Sequence, residues 1–378
     1  MTGSMAQGAF RSWCESFRAR AQAAGISDAC LAAAFDDVAE LPDVLRRDRD
    51  QAEFTRAIAD YLGRAVSEAR VTTGRQILRD QAPLLSRIAA RFGVPAEILV
   101  AIWGMESDFG RVRGDVPVIG ALATLACDGR RAALFERELI AALRIVEAGA
   151  VARPEMLGSW AGAMGHLQFM PSTYLANAVD FDGDGRADIW SDNPTDALAS
   201  AAACLVAKGW QAGLRWGAEI SLPPGFDLAL AGRDVRRPVG DWAAHGVVLP
   251  RRAFPQEAPA AILLPAGHRG PAFLVTDSFE ALRRYNAADA YVLAVGHLSD
   301  RIAGGESLRA AWPADQRALT WDEILALQRA LSAAGFHTSG ADGLAGPNTF
   351  AAIRAYQTAN GLPADGFPSE ELLARLLG

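Results

Sequence analysis

Pro95-Ala-Glu-Ile-Leu99-Val-Ala-Ile102-Trp103-Gly-Met-Glu106-Ser-Asp108-Phe-Gly110 is the stretch whose reading decides the fold. Proline at its start and glycine at its end bracket a helix. Within it Leu99, Ile102, Trp103 and Glu106 recur at i, i+3, i+4 and i+7, which puts the Glu106 carboxyl on one face with three apolar side chains. A carboxyl so placed is partly desolvated. Desolvation disfavours the ionised form, so the expected shift is upward, toward a group that stays protonated near neutrality and can act as a general acid. From this helix alone, a Glu that reaches solvent or a structural Arg is the default account. Asp108, two residues on, points to a different face.

Outward from this helix, Gly158-Ser159-Trp-Ala-Gly162-Ala-Met-Gly165-His166-Leu-Gln168-Phe-Met-Pro-Ser-Thr-Tyr174 mixes small residues, which let a ligand approach backbone, with amide, hydroxyl and aromatic groups suited to sugars. Close helix packing around glycines is the alternative. Next, Asp180-x-Asp182-x-Asp184-Gly185-Arg186-x-Asp188 fits the first nine positions of an EF-hand loop. Position twelve is Ser191 in place of the usual Glu, so Asp192 or Asp196 would have to close a Ca2+ site in the 180–192 loop. The other reading is a hydrogen-bonded Asp/Gly turn that needs no ion.

From Ala9 to Ala150 the apolar spacing is helical, with Ser27 or Asp28 as a candidate cap for the helix carrying Leu31 and Phe35. Between about 217 and 276 the texture changes to short β-type runs, at Ile220, Val247, Ala261–Leu264 and Ala272–Val275, separated by Pro and Gly. Helix returns over 278–302, and 304–320 reads as a linker. In the tail, Leu327-Gln328…Asp342-Gly343…Thr349 is echoed by Tyr356-Gln357…Asp365-Gly366…Ser369, which implies two related helix-plus-turn units. The fold class is mainly α (α+β).

The 378 residues allow two or three domains, and 51% hydrophobic with 21% charged residues describe a core-forming chain. No apolar run approaches the roughly 18 residues of a membrane span, so no transmembrane segment is expected. Forty-four acidic against 37 basic residues give a net charge of −7. With no clustered basic face, nucleic acid is excluded as a partner. Cys14, Cys30, Cys127 and Cys204 lack zinc-site spacing. They read as four small buried side chains, or as a Cys14–Cys30 disulfide in an oxidising compartment. Met1-Thr2-Gly3-Ser4-Met5 has neither a basic nor an apolar signal region, so any export signal is expected to have been removed.

Taken together, these segments resemble the membrane-bound lytic murein transglycosylase B family, bacterial enzymes with a lysozyme-like core that cut peptidoglycan strands. The match runs from Gln51-Ala-Glu-Phe-Thr55 and Asp60-Tyr61-Leu62 through Ala101–Gly110, Arg130–Phe135, Ser159–Tyr174 and Asp180–Gly185 to Arg284-Tyr285-Asn286 and Tyr291. It implies a catalytic domain over residues 9–303 with a β-rich insertion at about 217–276, a linker at 304–320, and a small three-helix peptidoglycan-binding domain at 321–378.

Carried over by position, the resemblance makes Glu106 the sole acid/base, Ser159 a hydroxyl that orients it, and Gln168 a sugar-binding amide. It makes Tyr61, Tyr285, Asn286 and Tyr291 contacts for sugar, where rings stack on sugar faces and amides read hydroxyl or acetamido groups. By default Tyr61 would be a half-buried core residue, and Tyr285-Asn286 the end of a helix. The family commonly has an Asn-Tyr pair where Ala203-Cys204 stand here, so one aromatic wall is expected to be missing. The metal ligands implied by the loop are Asp180, Asp182, Asp184, Arg186 and Asp188, with a bracing role for the ion; the chemistry itself needs no cofactor.

The resemblance also implies the reaction, cleavage of the bond between N-acetylmuramic acid and N-acetylglucosamine with closure of a 1,6-anhydro ring, and the presence of one acid with no evident partner carboxylate is in keeping with it. The expected partner is the peptidoglycan glycan strand, the chain a monomer, and the setting periplasmic, free or as an outer-membrane lipoprotein. The competing readings are a non-catalytic murein-binding scaffold, a hydrolytic muramidase and a calcium-responsive interaction protein.

Overall fold

The computed structural model describes residues 2–50, 58–250 and 254–378; the Gln51–Thr55 part of the resemblance lies outside them. The described chain forms two compact units, one of residues 2–50 and 76–207, the other of residues 58–75, 208–250 and 254–378.

In the first unit the Ala96–Ser107 helix is buried on every side from Ile98 to Gly104, with Leu99, Val100, Ala101 and Ile102 wholly inaccessible. The amphipathic spacing therefore understated its burial. Ile98, Val100 and Ala101 are apolar too, so no polar face remains, and a helix that is apolar all round belongs in the core. Helices Ala82–Phe92 and Thr195–Ala207 pack against it, while Val118–Asp128 packs along Ala132–Glu147. Ser27, not Asp28, caps Asp28–Phe35, its side chain accepting from Cys30 N at 3.2 Å.

The Cys14–Cys30 disulfide is not formed: both are thiols, and Cys30 Sγ faces the Leu143 carbonyl oxygen at 3.6 Å. Burial pushes the Cys14 thiol up to about 11, with the nearby Cys127 adding to the shift. No single helix among the described residues is long and apolar enough to cross a membrane.

The second unit contains the expected β-rich segment as a four-stranded antiparallel sheet. Gly217–Ile220 pairs with Ala272–Thr276, which pairs with Pro259–Leu263, which pairs with Arg237–Pro238. Trp242 is fully buried against the sheet and donates to Ala260 O at 2.9 Å. The expected strand at Val247 is reduced to a single bridge between Ser221 and Val248, because Pro250 soon follows and has no N–H to extend a ladder.

Residues 304–320 have little regular structure, yet they are fixed. Arg309 N and Ala310 N donate to the Glu219 carboxylate at 2.9 and 2.8 Å, Arg301 Nη1 reaches Ser307 Oγ at 2.8 Å, and Arg269 pairs with Asp315 at 2.9 Å.

Beyond it come three helices, Trp321–Ala333, Pro347–Ala359 and Glu370–Leu377, around a core of Leu327, Leu331, Ile353 and Leu372. The internal repeat has a shared physical basis. Gln328 Oε1 accepts from Asp342 N and Gly343 N, both at 2.9 Å, and Gln357 Oε1 accepts from Gly366 N at 2.8 Å, so each buried Gln ties down its Asp-Gly turn.

The second turn also joins the tail to the β-rich segment. Asp365 Oδ2 accepts from His268 N at 3.0 Å and from its ring at 2.6 Å, and Oδ1 from Gln357 Nε2 at 2.8 Å. A Cβ at Gly267, whose φ is +65°, would sit 2.7 Å from Asp365 Oδ2, so only glycine fits there.

Burial alone would raise the Asp365 carboxyl, but bonds from His268, Phe367 and Gln357 hold it below its ordinary value. A group lowered by folding stabilises the fold above the unfolded Asp pKa of about 3.9 and loses that contribution as pH falls through the folded value. Asp365→Asn should therefore lower the melting temperature near neutrality, and the parent and variant curves should converge below about pH 4. Melts across that range that stay parallel would exclude this contact as a stabilising one.

Candidate active site

The Glu106 helix ends at Ser107, earlier than the Gly110 stop the sequence suggests, and the chain leaves it through a left-handed turn. Asp108, Phe109 and Gly110 have φ of 51°, 59° and 84°. Two non-glycine residues in this region cost about 1–3 kcal/mol each and persist only where their surroundings fix them. Gly104 supplies part of that fixing: a Cβ there would lie 2.7 Å from the Phe109 ring, so its absence admits the ring, which meets Trp103 edge-on. Asp108 pairs with Arg111 at 2.7 Å. Glu106, at the end of the buried run, is itself half-buried.

The rest of the fixing comes from the 158–174 segment. Ser107 Oγ donates to His166 O at 2.6 Å and accepts from Gly110 N at 2.9 Å. Trp103 Nε1 donates to His166 Nδ1 at 3.0 Å. An indole N–H can only donate, so Nδ1 accepts, and the ring proton sits on Nε2 and is donated to Ser191 O at 2.8 Å. Burial lowers the His166 pKa, and Arg113 acts in the same direction, which keeps the imidazole neutral as this arrangement requires. Arg113 Nη1 donates to Trp190 O and Ser191 O at 2.7 and 2.8 Å, and Nη2 reaches Asp192 at 2.6 Å.

Of the residues predicted from sequence, Ser159 and Gln168 share this unit with Glu106. Ser159 Oγ accepts from Ala161 N at 3.3 Å and Ala163 N at 3.1 Å, while its hydroxyl keeps a proton to donate. Gln168, with φ of 49°, donates both amide protons to backbone, at Arg113 O (3.0 Å) and Gly165 O (2.9 Å). That leaves its side-chain carbonyl oxygen as an acceptor. Cys204 is wholly buried inside the Thr195–Ala207 helix.

Tyr61, Tyr285, Asn286 and Tyr291 belong to the second unit. Tyr61 is half-buried on Ile58–Ala65, a helix packed against Asp289–Ile302, which carries Tyr291. Tyr285 ends the Asp277–Tyr285 helix and Asn286 caps it, with Asn286 Oδ1 accepting from Ala288 N at 3.2 Å, so these two also do the helix-end work expected by default. Tyr291 is only 5% exposed, so its ring is packed inside this unit.

In the acidic loop, Asp180, Asp182 and Asp184 each bring a carboxylate oxygen within 4.8 Å of the others, over a turn with left-handed Gly183 and Gly185. Hard oxygens on a tight turn suit calcium. Asp188 is not in that group, its Oδ1 accepting from Trp190 N and Ser191 N at 2.8 and 3.1 Å.

Neither candidate for the closing position is disengaged. Asp192 is held by Arg113, and buried Asp196 accepts from Phe181 N and Asp188 N at 2.8 and 2.9 Å. Burial raises the Asp196 carboxyl despite those donors. Sequence reading passed over His166, Arg113 and Ser107; a histidine among so many glycines was the available signal for the first, and nothing local marked the others.

The transglycosylase SLT domain model matches residues 9–300, and a peptidoglycan binding domain model matches residues 321–376. Membrane-bound lytic murein transglycosylase B of Escherichia coli K12 is 33% identical over 250 residues, an alignment that takes in 64% of this chain and 66% of that protein. The chain thus spans just under two thirds of that relative's length. The crystal structure of SltB3 from Pseudomonas aeruginosa in complex with NAG-anhNAM-pentapeptide superposes with a TM-score of 0.93 at 46% identity, covering 98% of this chain and 99% of that one. The Escherichia coli lytic transglycosylase Slt35 in complex with calcium superposes with a TM-score of 0.65 at 30% identity, covering 79% and 93%.

Proposed function

Because this chain belongs to the transglycosylase SLT family, we propose that it is a peptidoglycan lytic transglycosylase in which Glu106 acts first as acid and then as base. The observation that carries the reading is the half-buried carboxyl at the end of a dry, rigid helix, with Asp108 engaged elsewhere by Arg111. Glu106 protonates the oxygen that links N-acetylmuramic acid to N-acetylglucosamine, the C1–O bond breaks with the N-acetylglucosamine hydroxyl as leaving group, and positive charge develops at C1. The resulting carboxylate then takes the proton of the muramyl C6 hydroxyl, whose oxygen closes onto C1 as a 1,6-anhydro ring. Ser159 donates its hydroxyl proton to the carboxylate, and Gln168 accepts from sugar. Tyr61, Tyr285, Asn286 and Tyr291 are assigned contacts to the glycan, and the chain works as a periplasmic monomer. Mass spectrometry of fragments released from purified sacculi tests the reaction: anhydromuramyl ends are expected, whereas reducing ends would make the enzyme a hydrolase and intact sacculi would make it a binder.

Calcium in the acidic loop is a brace held by Asp180, Asp182, Asp184 and the Arg186 carbonyl, with weak affinity because the closing position lacks a disengaged carboxylate. Melting curves in calcium and in chelator should separate. An ion at about 100 times its dissociation constant stabilises the folded state by about 2.7 kcal/mol. Coincident curves at high calcium would retire this assignment.

A further inference from the structure

We infer that His166 is a positioning residue for Glu106, gripping the end of the Glu106 helix on both sides of the carboxyl and anchoring it to the segment after the acidic loop. The inference rests on Glu106 being the acid–base group. Trp103 stands three residues before Glu106 and Ser107 one after. The first donates to the His166 ring at 3.0 Å and the second to the His166 carbonyl at 2.6 Å. The opposite ring nitrogen donates to Ser191 O at 2.8 Å, and Arg113 grips the same carbonyl, so the ring spans from the helix to a second fixed point.

The site is shaped for this ring: a Cβ on Gly110 would stand 2.5 Å from Nδ1. The left-handed turn through Asp108 and Phe109 needs surroundings that over-determine it, and the Ser107 bridge from His166 O to Gly110 N spans that turn. Filling the space would not require histidine, since a phenylalanine ring would occupy it. What histidine adds is an acceptor facing one element and a donor facing the other. The nearby charges are Arg113, Asp192 and Asp188, and the neutral ring serves as a hydrogen-bonding bridge among them.

The test uses the full chain on purified glycan strands. His166→Phe keeps the ring volume and removes both side-chain bonds; kcat should fall about 10- to 100-fold with KM unchanged, because small misplacements of a reacting group act on the chemical step. His166→Gln, which can accept from Trp103 and donate to Ser191, should recover part of the loss. Trp103→Phe should lose a similar amount, and the double variant should be no worse than either single one, as expected of two groups in one bond. If His166→Phe does not fold, Trp103→Phe removes the same bond from the other side, and its kcat with KM unchanged carries the test.

Parent kcat in His166→Phe, a change confined to KM, or additive losses would overturn the inference. Glu106→Gln in the same assay separates the two ideas. An inert Glu106→Gln beside a fully active His166→Phe removes only the positioning role, whereas an active Glu106→Gln removes both.

Discussion

Glu106→Gln is expected to abolish release of anhydromuramyl fragments, with kcat down by at least about 1,000-fold and the fold unchanged. General acid–base assistance contributes about 10²–10⁴ per proton transfer. Here one side chain is assigned both transfers, so a single substitution removes the acid of the first step and the base of the second. Glutamine has nearly the same volume and can still hydrogen-bond, so the half-buried position should tolerate it with little loss of stability. Asp108 is poorly placed to substitute, being two residues on and paired with Arg111 at 2.7 Å. Glu106→Asp should fall between parent and Gln, because it restores the proton but withdraws it by one methylene. Residual activity above about one per cent of parent in Glu106→Gln would require a second proton-transfer group.

Much of the local structure around this candidate site was legible because its residues fall in short contiguous runs. The Glu106 helix, the glycine-rich segment and the acidic loop each have a local physical signature, and each forms a distinct local structure. What sequence could not give was the bonding between them. The Trp103–His166 and His166–Ser191 bonds join residues 63 and 25 positions apart, and neither histidine tautomer nor partner follows from spacing.

What holds the linker in place was hidden in the same way. Residues 304–320 lack periodicity, as a tether does, but the Glu219 carboxylate that fixes Arg309 N and Ala310 N is about 90 residues away on a strand. The helix end was missed because Asp108, not a glycine, takes the left-handed position, and only the packed Phe109 ring and the Ser107 bridge make that tolerable. Long-range pairing decided the points where local propensity failed.

Leu99→Ala should cost about 3–5 kcal/mol, the upper part of the range for buried leucine, because cost rises when the surroundings cannot close the cavity. Leu99 is wholly inaccessible on a helix enclosed on every side, between helices whose own facing residues are buried. At about 2–4 °C per kcal/mol for a chain region of this size, the melting temperature should fall by about 6–20 °C. Leu344→Ala, at a leucine 65% exposed in the tail, should stay within about 0.5 kcal/mol of parent.

The kinetic consequence distinguishes packing from positioning. Leu99 lies seven residues before Glu106, beyond the turn that Trp103 and Ser107 tie to His166, so those bonds should survive the cavity. Well below the lowered melting temperature, kcat should remain within about threefold of parent, because the acid is still held at its own end of the helix. A loss at low temperature as large as that expected for His166→Phe would instead mean that the carboxyl is positioned by the packing of the whole helix, and that the bonds at its last turn are secondary.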